Sequence, residues 1–126
     1  MSQYKHSYSD SKTINKFGVN ITLYNINQPG ANIVYEEVKE GHFEEFSNTV
    51  STCMWFIIEG KGTFVIDDEK TEVSSRDVVV VPPNKRIHYF GNMKMLLITT
   101  PAFDAKNERH IRDVRKEESP YFKDVV

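Results

Sequence analysis

The most apolar segment of the 126-residue chain lies at residues 53–67 and reads CMWFIIEGKGTFVID. Two runs rich in Ile, Phe and Val flank Gly60-Lys61-Gly62. Two glycines around one lysine, between such runs, are typical of the turn of a β-hairpin. We therefore predict a hairpin that turns at Gly60–Gly62, and we expect the rest of the chain to pack around it.

Further strand-like runs lie on both sides of this hairpin. They alternate in polarity or are rich in β-branched residues, and they cover residues 18–26, 32–40, 71–73, 78–81, 86–90 and 93–100. Turn signals such as Gln28-Pro29-Gly30 and Gly91-Asn92 separate them. About eight short strands, with a turn roughly every 8 to 12 residues, predict an all-β sandwich or barrel.

Two segments carry a more specific expectation. Val78–Val81 is a run of β-branched residues, which suits a strand that is buried on both faces. Residues 103–118 are the only part of the chain that permits an α-helix, with Asp104 as a candidate N-cap.

Charge and composition exclude several classes of function. The formal net charge is −2 and the pI is about 6.1, so no basic face is expected for nucleic acid. Cys53 is the single cysteine and cannot form an internal disulfide. The polar start MSQYKHSYSDSK lacks the apolar region of a signal peptide, and no apolar run approaches the roughly 18 residues that span a bilayer. We expect a soluble cytoplasmic protein that binds neither nucleic acid nor membrane.

The spacing of several residues resembles the first motif of the cupin family, whose fold is a double-stranded β-helix, or jelly-roll barrel. That motif is Gly, five residues, His-x-His, three or four residues, Glu, six residues and Gly. Counted from Gly41, the same intervals fall on Ser47, Thr49, Cys53 and Gly60.

The second cupin motif is Gly, five residues, Pro-x-Gly, two residues, His, three residues and Asn. This chain offers Arg76, then Pro82-Pro83-Asn84, then one extra residue before His88, and finally Asn92. The resemblance implies a small single-domain, RmlC-like cupin over residues 17–118, with its core at 32–103. We expect a flexible N-terminal arm at residues 1–16 and a short helical or irregular tail at 119–126.

The family's metal site is not kept in this chain. In the family, the two His and the Glu of the first motif and the His of the second bind iron, manganese, zinc or nickel. Three of those four positions hold Ser47, Thr49 and Cys53 here, and hydroxyls are poor ligands for divalent transition metals. We predict that the chain holds no metal there and needs no other cofactor. A displaced metal site made of Glu45, Cys53 and His88 stays open as an alternative.

Strand alternation predicts which side chains line the barrel. If Ser47 faces the lumen, Glu45 also points inward and His42 points outward. On the central strand, Cys53 and Trp55 then face the lumen.

On the strand after Pro83, the same reasoning turns His88 inward. A single histidine in an apolar pocket suits a general base or acid near neutral pH. We therefore predict His88 as the catalytic residue, and the predicted ligand-binding residues are Ser47, Thr49, Cys53, Trp55, Arg86 and Phe90. The alternatives are that His88 and Trp55 are ordinary core residues and that Arg86 lies on the rim.

The outer face of the central strand is also apolar, through Met54, Phe56 and Ile58. A strand that is apolar on both faces needs cover on both. Small cupins commonly pair through this outer sheet, so the resemblance implies a homodimer.

Three classes of function remain open, each with a small molecule as the expected partner. The first is a metal-independent isomerase or epimerase acting on a sugar or sugar nucleotide, because proton transfer beside a carbonyl needs a suitable base but no metal. The second is a sensor or binding module without catalysis. The third is a metal-dependent dioxygenase or isomerase with displaced ligands.

Overall fold

A computed structural model describes residues 4–122 and shows β-strands joined by short connections. The strands in chain order are β1 (Lys12–Lys16), β2 (Val19–Leu23), β3 (Asn32–Val38), β4 (Gly41–Asn48), β5 (Thr52–Ile66), β6 (Glu69–Ser74), β7 (Val78–Val81), β8 (Ile87–Thr100) and β9 (Glu108–Asp113). Short 3-10 turns lie at Tyr8–Asp10, Ala105–Asn107 and Lys116–Glu118.

The strands form a nine-stranded sheet that curls on itself. Along one path β1, β2, β3, β8, β4 and β9 are antiparallel neighbours. The long β5 branches from this path, because it pairs with β8 on one side and with β7 and β6 on the other. Its register on β8 runs from Thr52 opposite Thr100 to Ile66 opposite Ile87. The predicted all-β jelly-roll barrel is confirmed.

The inner face of the sheet is packed with large side chains. The rings of Phe64 and Tyr89 stack with 4.8 Å between their centroids. Trp55 meets both rings edge-on, at 5.4 Å from Phe64 and 5.9 Å from Tyr89. Each such aromatic pair contributes about 0.5–1.5 kcal/mol beyond the burial of its area. Side chains as well as backbone hydrogen bonds therefore hold β5 against β8.

The predicted turn at Gly60–Gly62 is wrong, because β5 continues through these residues. Gly62 lies opposite Gly91 in the register of β5 on β8. Gly60 has a φ of +101°, and a Cβ atom on it would collide with the carbonyl oxygen of Asn92. The glycines allow two backbones to approach closely, which is a use of glycine distinct from turns. For the same reason Gly91-Asn92 lies within β8 and is not a hairpin turn.

The hairpin of β5 turns instead at Asp67 and Asp68, which connect the paired residues Ile66 and Glu69. Both aspartates have positive φ, at +48° and +70°. Two consecutive residues of this kind make the two-residue turn whose twist matches antiparallel strands, and aspartate tolerates this backbone better than most residues.

The chain ends also differ from the prediction. Residues 12–16, assigned to a flexible arm, form β1 and pair with β2. Residues 108–113, where a helix was permitted, form β9 and pair with β4. Both are edge strands with polar, exposed side chains, so backbone pairing and not an apolar pattern stabilises them. Residues 1–3 and 123–126 of the predicted arm and tail lie outside the described residues.

Asp104 begins a 3-10 turn and not an α-helix. Its carboxylate accepts a hydrogen bond from the backbone N–H of Lys106 at 3.1 Å. In residues 4–122, no helix has the length and apolar character needed to cross a membrane.

One outer face of the barrel is apolar and exposed. Val78 and Val80 are 57% and 54% exposed, whereas the two other valines of β7 are buried. The predicted burial of β7 on both faces is therefore wrong for the single chain. Phe56 lies beside Val78 in the register of β5 and β7 and is also exposed.

Candidate functional site

The barrel encloses a cavity of 180 Å³ between the inner faces of its strands. This volume is several times the roughly 30 Å³ that one molecule of liquid water occupies, so the cavity admits a small organic molecule. Apolar side chains such as Val34, Phe46 and Leu97 form most of its wall. Its main polar groups are Lys16, Glu36, His42, Trp55, Tyr89 and Glu108.

His42 is a neutral histidine with one nitrogen available to a ligand. Its Nδ1 lies 2.7 Å from the main-chain oxygen of Glu44. A carbonyl oxygen only accepts hydrogen bonds, so Nδ1 carries the proton and Nε2 keeps its lone pair. Burial, and to a smaller extent the charge of Lys16, lower the pKa of His42 to about 4. At neutral pH His42 is therefore a neutral imidazole whose Nε2 can act as a base.

Aromatic rings hold the imidazole of His42 in place. Tyr89 stacks on it at 5.2 Å between ring centroids, and Phe46 meets it edge-on at 5.1 Å. His42 and Tyr89 also lie opposite each other in the register of β4 on β8. Cross-strand neighbours of this kind keep a fixed distance, so the base and the phenol face the cavity together.

Glu36 is a buried carboxyl in the cavity wall. Its Oε1 accepts hydrogen bonds from Trp55 Nε1 at 2.9 Å and from the Tyr89 hydroxyl at 3.2 Å. Burial raises the pKa of Glu36 to about 7, although these two hydrogen bonds act in the opposite direction. Burial, and then the charge of Glu36, raise the pKa of Tyr89 well above its usual value. The carboxyl therefore gains or loses a proton near neutral pH, while the phenol stays protonated.

An ion pair closes the barrel beside these groups. Lys16 Nζ lies 2.5 Å from Glu108 Oε1. Lys16 belongs to β1 and Glu108 to β9, which are the two ends of the strand path. In the part of the chain that the structure describes, the backbones of β1 and β9 do not pair. The side chains of Lys16 and Glu108 thus join two strand edges along a seam of the barrel.

Two of the predicted site residues line the cavity, namely Cys53 and Trp55. Burial raises the pKa of the Cys53 thiol to about 11, so the thiol is a small neutral group at pH 7. Trp55 presents its ring to the cavity while its Nε1 donates to Glu36. Both side chains face the cavity, as strand alternation predicts, and their role in ligand binding stays a prediction.

The predicted inward orientation of His88 is wrong. On β8 the cavity-lining residue is Tyr89, and the neighbouring His88 points to the opposite face of the sheet. Arg86 and Phe90, which share the side of His88, also lie outside the cavity. The extra residue needed to match the second motif explains the difference, because a one-residue shift turns every side chain of a strand to its other face.

The predicted orientation of β4 is also wrong. His42, Phe46 and Asn48 line the cavity, so His42 points inward and not outward. Ser47 is buried but does not border the cavity. Thr49 donates a hydrogen bond to the main-chain oxygen of Asn107 at 3.1 Å. A role of these hydroxyls in ligand binding stays a prediction.

Glu45 and His88 are buried and form a separate cluster with two half-exposed arginines. Glu45 is 1% exposed, and its Oε2 lies 3.3 Å from Arg86 Nη1 and 3.6 Å from His88 Nδ1. Its Oε1 lies 3.4 Å from Arg112 Nε. Cys53 faces the cavity on the other side of the sheet, so the alternative metal site of Glu45, Cys53 and His88 is wrong.

The donor groups of the chain do not fit the metal site of the family. The positions that match the family ligands hold hydroxyls and a neutral thiol, and His88 points away from Cys53. Among residues 4–122, no three His, Cys, Asp or Glu side chains lie close enough together to hold a metal ion.

Sequence reasoning missed His42, Glu36 and Tyr89 as site residues. One signal was available on β3, where Val34, Glu36 and Val38 share one buried face. A carboxylate between two valines on the same strand face is costly to bury, and such groups are concentrated at functional sites. His42 and Tyr89 could not be identified without the strand register.

Comparisons with known proteins agree with this fold. The family model described as cupin domain matches residues 34–99. No curated protein matches the chain significantly. An RmlC-like cupin from Shewanella frigidimarina superposes with a TM-score of 0.67 over 82% of this chain and 95% of its own, at 15% identity. At that identity the likeness concerns the fold alone.

A solved structure with higher identity is that of Pac13, described as a unique nucleoside dehydratase. It is 40% identical, has a TM-score of 0.93, and the match covers 95% of this chain and all of that one. Variants of Streptomyces PAC13 have been solved with uridine, one with a tyrosine changed to phenylalanine and one with a histidine changed to glutamine. These are 40% and 39% identical, with TM-scores of 0.94, and cover 96% and 95% of this chain and all of their own.

Proposed function

Because the chain belongs to the cupin family, we propose that it binds a nucleoside in the barrel cavity and removes water from it. One observation carries the proposal. A chain 40% identical to a nucleoside dehydratase places a neutral histidine, His42, beside a phenol and carboxyl pair, Tyr89 and Glu36, in one cavity. A histidine and a tyrosine are also the residue types that were substituted in the uridine complexes of PAC13.

Removal of water from a sugar ring needs one base and one acid. The base takes a proton from carbon, the electron pair of that C–H bond forms a carbon–carbon double bond, and the neighbouring hydroxyl leaves with an added proton as water. His42 Nε2 is the base, because it holds a lone pair at neutral pH. The Tyr89 hydroxyl, which stays protonated at neutral pH, is the acid. After the water has left, the phenolate regains a proton from solvent and His42 releases one to it.

This step is redox-neutral, so it uses no electron carrier. A sugar C–H bond is acidic enough for a histidine base only beside a carbonyl, so the substrate must be a nucleoside whose sugar carries a carbonyl group. With such a substrate the step shares its first half with the isomerase or epimerase expected from the sequence, because both begin with removal of a proton beside a carbonyl. The two reactions differ in their second half, because an isomerase returns the proton to carbon and a dehydratase expels hydroxide. The similarity to a nucleoside dehydratase favours the second outcome.

Uridine binding is the direct test of this proposal. Trp55 is the only tryptophan of the chain and lines the cavity, so its fluorescence reports occupancy. We expect uridine to change the emission of Trp55 in a saturable manner, and we expect a sugar nucleotide, which carries two phosphates and a second sugar, to have a much smaller effect. A response to the sugar nucleotide alone would favour the isomerase. No response to uridine at millimolar concentration would contradict nucleoside binding.

The exposed apolar face supports the predicted homodimer. Val78, Val80 and Phe56 form a contiguous apolar surface, and such surfaces mark sites of protein association. We expect Phe56→Lys to convert a dimer into a monomer, measured by light scattering after size exclusion, because a buried unpaired ammonium is costly. The control is Thr71→Lys on exposed β6, which should leave the mass unchanged. A wild-type chain that is monomeric at micromolar concentration would contradict the dimer.

A further inference from the structure

The carboxyl of Glu36 is placed differently from the other buried carboxyls of the barrel. Glu45 contacts two arginines and Glu44 contacts His110, whereas Glu36 has no ion pair within residues 4–122. Its two hydrogen bonds, from Trp55 and Tyr89, both reach Oε1. No hydrogen bond from the described part of the chain reaches Oε2, although the residue borders the cavity. Oε2 is therefore the oxygen that is left for a ligand.

The two donors also decide where a proton binds. Trp55 Nε1 can only donate, and the Tyr89 hydroxyl donates in this arrangement, so Oε1 must remain an acceptor. A proton on Glu36 therefore sits on Oε2 and makes an O–H donor on the cavity side. We propose that Glu36 binds the ligand in this protonated form, with Oε2–H donating to a carbonyl oxygen of the ligand, so that ligand binding takes up a proton. The inference rests on the proposed function, because it requires a nucleoside in the cavity.

The charged and titratable groups around Glu36 stabilise its ionised form less than burial destabilises it. They are Lys16 from β1, His42 from β4, Cys53 from β5, Tyr89 from β8 and Glu108 from β9. Histidine, thiol and phenol are all neutral at pH 7. Lys16 and Glu108 have opposite effects on Glu36 and are paired with each other.

A ligand removes the remaining stabilisation of the carboxylate. Burial already raises the pKa of Glu36 to about 7. A neutral molecule that displaces water from the cavity desolvates the carboxylate further, which favours the protonated form still more. A carbonyl oxygen has lone pairs but no proton, so it repels a carboxylate and accepts from a carboxylic acid. The pyrimidine carbonyls of uridine supply such an acceptor.

The test is isothermal titration calorimetry of uridine binding to the wild-type protein at pH 6 and pH 8. Each titration is made in two buffers with different heats of ionisation, because the difference in the heat of binding reports the number of protons taken up. At pH 8 we expect close to one proton to be taken up for each uridine bound, and at pH 6 very little uptake. Because only the protonated fraction binds, the affinity should be about tenfold lower at pH 8 than at pH 6.

Glu36→Gln separates this role from a purely structural one. Its carbonyl can accept from Trp55 and Tyr89 while its amide N–H₂ donates into the cavity at every pH, so we expect binding without proton uptake and without pH dependence. The matched control is Glu44→Gln, which changes a buried glutamate of β4 that lies outside the cavity. Uridine binding to this variant should keep the pH dependence of the wild type.

The outcomes distinguish the two proposals. Uridine binding without proton uptake in the wild type, or an unchanged pH dependence in Glu36→Gln, would overturn the role of Glu36 and leave the nucleoside site intact. Absence of uridine binding at both pH values would overturn the proposed function and this inference with it.

Discussion

Replacing His42 with asparagine is expected to lower kcat for nucleoside dehydration by about a hundredfold to ten-thousandfold, which is the usual contribution of a general base. Asparagine can still donate a hydrogen bond to the main-chain oxygen of Glu44, but it has no lone pair basic enough to accept a proton from carbon. Uridine affinity should change much less than kcat. The measurement uses mass spectrometry to detect a product that is lighter than the nucleoside substrate by one water.

Two other histidines sharpen this experiment. His110 is half-exposed, stacks on Phe17 and lies outside the cavity, so His110→Asn serves as the control and should retain activity. His88→Asn tests the competing prediction from the motif spacing, because His88 is buried on the opposite face of the sheet. A loss of kcat in His88→Asn with full activity in His42→Asn would refute the assignment of the base.

Replacing Glu36 with glutamine is expected to stabilise the protein at neutral pH but not in acid. Burial raises the folded-state pKa of Glu36 from 4.5 to about 7, so the folded chain binds this proton more tightly than the unfolded chain does. The stability that protonation supplies is complete below about pH 4.5 and is lost as the pH rises through about 7. The shift in pKa corresponds to about 3 kcal/mol of unfolding free energy, which the wild type loses as the pH rises. The glutamine variant has no carboxyl to ionise and does not lose it.

Urea unfolding at pH 4.5 and pH 7.5 measures this difference. The unfolding free energy of Glu36→Gln minus that of the wild type should increase by about 3 kcal/mol from pH 4.5 to pH 7.5. Glu72→Gln, on the exposed edge strand β6, is the control for general charge effects and should show no such growth. A difference in unfolding free energy that is equal at both pH values would mean that Glu36 does not titrate in this range.

Local sequence patterns predict most of the strands, but the motif spacing gives the wrong cavity-facing side for β4 and β8. Val78–Val81 and the long apolar runs of β5 and β8 are strands because β-branched and aromatic residues suit an extended backbone. The sequence does not predict the polar strands β1 and β9, because an edge strand held by backbone pairing needs no alternation of apolar and polar residues. The sequence predicts turns at Gly60 and Gly91, because a glycine needed for close approach of two backbones cannot be distinguished in sequence from one needed for a turn.

The site depended on information that the sequence does not carry locally. Cys53 and Trp55 were placed correctly because β5 continues the alternation of an unambiguous apolar run. The motif spacing predicts His88 as the cavity residue of β8, whereas the neighbouring Tyr89 lines the cavity, because the match to the motif is shifted by one residue. His42 is close to Tyr89 only through the pairing of β4 with β8, which no spacing rule reveals.

The seam between Lys16 and Glu108 has a consequence for protein synthesis. The two residues are 92 positions apart, and they are contributed by strands near opposite ends of the described chain. While the ribosome is still translating the segment before β9, a nascent chain can form the central ladder of β5 and β7 but has no partner for Lys16. The chamber that holds His42 and Glu36 is therefore completed only after Glu108 has left the exit tunnel.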